Sequence, residues 1–64
     1  MYIVTIDEGA RWYVVGDCMS RGEVHLYLTA EVRRARRFAT REAAEGCLSR
    51  VREMGYDARI EEAR

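Results

Sequence analysis

Apolar and polar residues alternate with a period of two along most of this chain. Over Tyr2 to Ile6, the side chains of Tyr2, Val4 and Ile6 fall on one side and Ile3 and Thr5 on the other, a β-branched and aromatic pattern that predicts a strand. Asp7, Glu8, Gly9 and Ala10 form a loop suited to a hairpin, and Arg11 to Val15 predicts a second strand, with Trp12 and Val14 opposed to Tyr13 and Val15. The run GDCMSRG, Gly16 to Gly22, reads as a polar, glycine-bounded loop. Glu23 to Leu28 then alternates again, Val24, Leu26 and Leu28 against His25 and Tyr27. At the end of the chain Tyr56, Ala58 and Ile60 alternate with Asp57, Arg59 and Glu61, which predicts a final strand with one buried and one solvated face.

The period changes once. Within ATREAAEGCLSRVREMGY, Ala39 to Tyr56, the residues Ala44, Cys47, Leu48 and Val51 recur at helical spacing, while Arg41, Glu45, Ser49 and Arg52 look outward. Thr40 is the expected N-cap, and Glu42 suits the positive end of the helix dipole. Gly55 supplies a left-handed stop, after which Tyr56 can fold back onto Val51. Gly46 lowers helix propensity, and its presence is read as a close approach of the sheet. The stretch Thr29 to Phe38, TAEVRRARRF, predicts a short helical turn that carries Val32 and Ala35 inward, followed by an extended residue or two. The alternative is an extended crossing at the sheet edge, anchored by Phe38.

These elements predict one α+β domain over residues 1–64: a four-stranded, mainly antiparallel sheet with one helix packed on one face, order βββαβ. The last strand is expected beside the first, with a place beside the third as the alternative. One helix covers one sheet face. If it takes the side of Val4, Val14 and Leu26, the other face carries Ile3, Thr5, Tyr13, Val15, His25 and Tyr27, an apolar patch that predicts a partner surface or a dimer interface, with Tyr13, His25 and Tyr27 as its contact residues.

Charge changes the picture because it is polarised. Formal net charge is zero, but residues 33–52 hold seven Arg against two Glu, and both flanking segments are acidic. All the basic residues are Arg, whose planar guanidinium makes bidentate contacts to carboxylate or phosphate. The cluster Arg33, Arg34, Arg36, Arg37 and Arg41 is therefore the candidate charged contact patch, toward an acidic protein surface or, alternatively, toward phosphates with Phe38 or Trp12 stacking on a base. A pI near 6.6 argues against the nucleic-acid alternative.

A chain of 64 residues buries a small core, which argues against a deep active site and for function on the outer surface. Cys18 and Cys47 form no CxxC pair and are read as thiols. His25 with Cys18 is the one imaginable thiolate pair, and without an orienting group or pocket it points to no catalysis. Neither zinc nor calcium spacing is present, so no catalytic residue, metal or cofactor is expected. With no apolar run long enough to span a bilayer, and none of the regions of a signal peptide in YIVTIDEG, the expectation is a cytoplasmic protein without membrane contact.

The run Leu28 to Ala44, LTAEVRRARRFATREAA, resembles a segment of very small phage and mobile-element proteins in which Ala-x-x-Phe-x-Thr-x-x-Glu-Ala precedes a helix. Ala35, Phe38, Thr40 and Ala44 match it, and Ala43 stands where the Glu would be. Such proteins include anti-CRISPR inhibitors, and the resemblance implies a non-enzymatic inhibitor in a host bacterial cell. Its target would be a CRISPR surveillance complex of type I, blocked in DNA recognition or nuclease recruitment without a cofactor. The function expected first is thus a protein-binding module. A small nucleic-acid-binding module using Arg33 to Arg41 is the second reading and a structural homodimer the third; the chain is expected as monomer or homodimer.

Overall fold

The structure, a computed structural model, describes residues 1–21 and 23–63, with the side chains of all of these except 17–20, 23 and 24. In chain order the elements are β1 (Tyr2–Asp7), β2 (Arg11–Ser20), β3 (Glu23–Thr29), a 3-10 turn (Val32–Arg34), α1 (Arg41–Glu53) and β4 (Ala58–Glu62). The sheet runs β3-β2-β1-β4 with every pairing antiparallel. The fold is therefore α+β in the order βββαβ, and the last strand lies beside the first.

Local chemistry sets both ends of α1. The Thr40 hydroxyl accepts from the Ala43 N–H at 3.2 Å, which satisfies one of the orphan donors of the first turn. At the other end Gly55 has φ +94°, and the N–H groups of Gly55 and Tyr56 donate to the carbonyls of Arg52 and Val51 at 3.0 and 3.4 Å. This pair of reversed bonds needs a residue in the left-handed region, which glycine enters without a Cβ clash. The Arg52 side chain then reaches over the turn and donates through Nε and Nη2, at 3.2 and 3.0 Å, to the Ala58 carbonyl, tying the helix end to β4.

The core lies between α1 and one sheet face. Ala44, Cys47 and Val51 of the helix meet Val4, Ile6, Val14 and Ala58, with Phe38 closing one end and Leu26, Leu28, Leu48 and Tyr56 packed around them. Fully burying a Val or Ile side chain contributes roughly 1.5–3 kcal/mol, so this one cluster is the main source of stability. Cys47 is a buried thiol within it, while the side chain of Cys18 lies outside the described residues.

The sheet opens midway along β1. Strands β1 and β2 pair only over Thr5–Tyr13, Ile6–Trp12 and Asp7–Arg11, and the β2 register against β3 then shifts between Val14 and Gly16. An extra residue of this kind bends a strand and increases its twist. The segment after the 3-10 turn fills the gap that results. Arg36 N–H donates to the Val14 carbonyl at 2.9 Å, and Phe38 exchanges both backbone bonds with Tyr2, at 2.8 and 2.9 Å. The crossover thus runs between β1 and β2 and satisfies inward-facing groups of both.

Three local expectations are corrected. Residues 16–20 are strand, not loop: Ser20 pairs with Glu23, and the connection between them is two residues long. Val32 is 47% exposed, because Ala35 leaves the 3-10 turn with extended backbone (φ −60°, ψ 139°) and only Ala35 turns inward. Gly46 marks no close approach; it is exposed, and a Cβ built there would meet no atom within 4 Å.

Candidate functional site

The arginine cluster sits on the crossover. As the chain leaves β3, the Thr29 hydroxyl accepts from the Glu31 N–H at 3.1 Å and turns it into the 3-10 segment that carries Arg33 and Arg34. Ala35 and Phe38 are buried at 7% and 8% exposure, which fixes the strip between them and leaves Arg36 and Arg37 in solvent. Arg41 opens α1. Arg34 pairs with Glu31 at 3.3 Å and Arg41 with Glu45 at 3.4 Å, and the Arg36 guanidinium lies 5.1 Å from the centre of the Phe38 ring. Arg33 and Arg37 make no ion pair among the described residues. All five are exposed.

The sheet-face candidates lie on β2 and β3, away from the helix. Tyr27 is 55% exposed opposite Gly16, which has no side chain to cover it; His25 is exposed and pairs in register with Cys18; Tyr13 is half-buried opposite Thr29. Val15, at the register shift, is 40% exposed. The same face is not open throughout. Ile3 and Thr5, expected in the exposed patch, are buried at 3% and 0%.

Thr5 lies between Tyr13 and Arg59 in register, and Ile3 beside Glu61. Around them Arg59 contacts Asp7 at 3.2 Å and Glu61 at 3.5 Å, and Arg11 lies 3.9 Å from each of the same two carboxylates. The stems of these partly exposed side chains cover apolar surface. This four-residue network takes the place of a second layer at the β1–β4 end of the face. Its cost is local: the Thr5 hydroxyl and Glu61 Oε1 are buried with no hydrogen-bond partner among the described residues. Asp7, Arg11, Arg59 and Glu61 all carry odd numbers, as do Ile3, Thr5 and Tyr13 on the same face, so the sequence held the signal, but it could be read only once β4 was known to lie beside β1.

Among the described residues there is no pocket and no group of three or more His, Cys, Asp or Glu side chains able to hold a metal ion. None of the described helices is long and apolar enough to cross a membrane. No protein-family model, curated protein or solved structure matches the chain. The motif read in Leu28 to Ala44 has a physical account here. Ala35 is buried beside the turn, Phe38 bridges to Tyr2, Thr40 caps α1, and Ala44 is core. Each matching position serves the entry from crossover into helix.

Proposed function

We propose that this protein is a non-enzymatic binding module that docks the arginine-bearing crossover on an acidic surface of a partner protein. The observation that carries the reading is the pair Arg33 and Arg37, exposed, without an ion pair among the described residues, and held on a segment whose backbone is bonded to both neighbouring strands. Unpaired guanidiniums on a fixed backbone bind carboxylates without an added cost of backbone ordering and speed the encounter through long-range attraction. Exposed Tyr27 and His25 offer additional contact area on β3. Following the likeness of Leu28 to Ala44 to small phage proteins, the partner is a CRISPR surveillance complex of the host bacterium, occluded from its DNA target or its nuclease.

The double variant Arg33→Glu with Arg37→Glu tests this in an interference assay paired with pull-down of the effector complex. Both side chains are exposed, so the circular dichroism spectrum is expected to stay the same while partner affinity falls about tenfold or more. Equal inhibition by variant and wild type would remove the crossover from the interface. Nucleic acid is the second reading, favoured by the same two guanidiniums. Glu31, Glu42 and Glu45, which flank the arginines, weigh against it because a continuous phosphate backbone would meet them too. Affinity for generic DNA and RNA that falls steeply with salt would favour that reading, and no binding at low salt removes it.

A further inference from the structure

We propose that β4 pairs edge to edge with β4 of a second copy of this chain, about a two-fold axis at Ile60, to join two sheets into one. The proposal is independent of the crossover and its partner. It begins with the direction of the backbone groups on the outermost strand. Asp7 N–H donates to the Asp57 carbonyl and Ala63 N–H to the Met1 carbonyl, at 3.1 and 2.7 Å, so odd-numbered residues turn their backbone toward β1. Ala58, Ile60 and Glu62 therefore present theirs to the free edge. An edge of this kind is a template for another strand unless the sequence opposes it.

Here the sequence favours one register. Antiparallel pairing that uses the outward groups must be centred on residue 59, 60 or 61. Centring on Arg59 sets that arginine against itself, and centring on Glu61 sets the glutamate against itself; like charges directly opposite are destabilising. Centring on Ile60 sets Arg59 opposite Glu61 of the second copy, twice, on the face away from the helices. On the helix face it sets Ile60 opposite its counterpart and Glu62 of the second copy opposite Ala58. The Ala58 carbonyl is where the Arg52 guanidinium already sits, at 3.0 and 3.2 Å, so the incoming Glu62 carboxylate arrives beside a positive charge. That carbonyl already accepts two bonds from Arg52, so pairing requires the guanidinium to move from it onto the incoming Glu62 carboxylate, which frees the carbonyl for the incoming N–H. Five residues of strand make a small interface, so association is expected to depend on concentration.

Sedimentation equilibrium over a wide concentration range reads the result. Wild type is expected to move from the mass of one chain to that of two as concentration rises. Glu62→Pro removes one outward N–H without touching the β1–β4 ladder, and is expected to raise the midpoint of association at least about tenfold, since proline is tolerated where the N–H faces solvent but blocks pairing there. Arg59→Glu and Glu61→Arg, each alone, set like charges opposite and are expected to be single chains, whereas their equimolar mixture restores the double mass. Amide exchange in wild type, which needs no variant to fold, is expected to slow at Ile60 and Glu62 as concentration rises. A single-chain mass at every concentration overturns the proposal. So does an association midpoint unchanged in Glu62→Pro, a dimer that is not restored in the mixture, or one that leaves the Ile60 amide unprotected.

Discussion

Gly46 and Gly55 are nine residues apart and obey opposite rules. At Gly55 the φ of +94° lies where an L side chain is strained, and the two reversed hydrogen bonds that end α1 depend on it. At Gly46 the backbone is helical and the space outside is open, so nothing in the fold offsets the entropy that glycine loses there. Gly46→Ala is expected to stabilise the protein by about 1 kcal/mol, and Gly55→Ala to destabilise it. In a domain this small the first change raises the melting temperature by about 4–8 °C. Urea titration with an unchanged slope would confirm that stability itself has moved. A Gly46→Ala variant that melts at or below wild type would mean that the outer face of α1 is covered by something in the native protein.

At the scale of elements, those determined by their own residues were legible in the sequence. Thr40, the Ala44–Cys47–Leu48–Val51 stripe, Gly55 and the fold-back of Tyr56 act within one helix, and each holds the place its spacing predicts. Residues 16–20 were not legible, because Gly-Asp-Cys-Met-Ser has no apolar alternation and becomes strand through its register with residues 23–27. The crossover was half legible. Its turn followed by extended backbone is present, but its site between β1 and β2 depends on the bend of β2 at Val15, which no local pattern announces. Phe38 is the anchor there, bonded to Tyr2 through its backbone and buried through its ring. Phe38→Ala is expected to cost roughly 3–5 kcal/mol by cavity formation, against a total of about 5–15 kcal/mol for typical domains. Phe38→Leu keeps more of the volume and isolates packing from the backbone bridge. Chemical denaturation of the two variants checks this; equal losses would mean that the ring is not what closes the gap.

The whole molecule divides at Gly16. On one side β1, β4, α1 and the crossover share the core; on the other, β2 and β3 pair with each other after β1 has given way to the crossover. Leu26 and Leu28 still reach the core cluster, but the exposed His25 and Tyr27 face away from it. Local opening requires little free energy where few apolar contacts must be broken, and the full unfolding free energy where the core must go. The His25 amide, held by the β2–β3 ladder, is thus expected to exchange through a small opening with little dependence on urea. The amides of Ile6, at the centre of the sheet, and Val51, on the buried face of α1, are expected to exchange only with global unfolding. Native-state hydrogen exchange followed by NMR across sub-denaturing urea separates the two classes. Such a hierarchy lets the ribbon adjust to a partner while the arginine crossover stays fixed to the core; a single, urea-sensitive free energy for all three amides would make the molecule one cooperative unit and remove that division of labour.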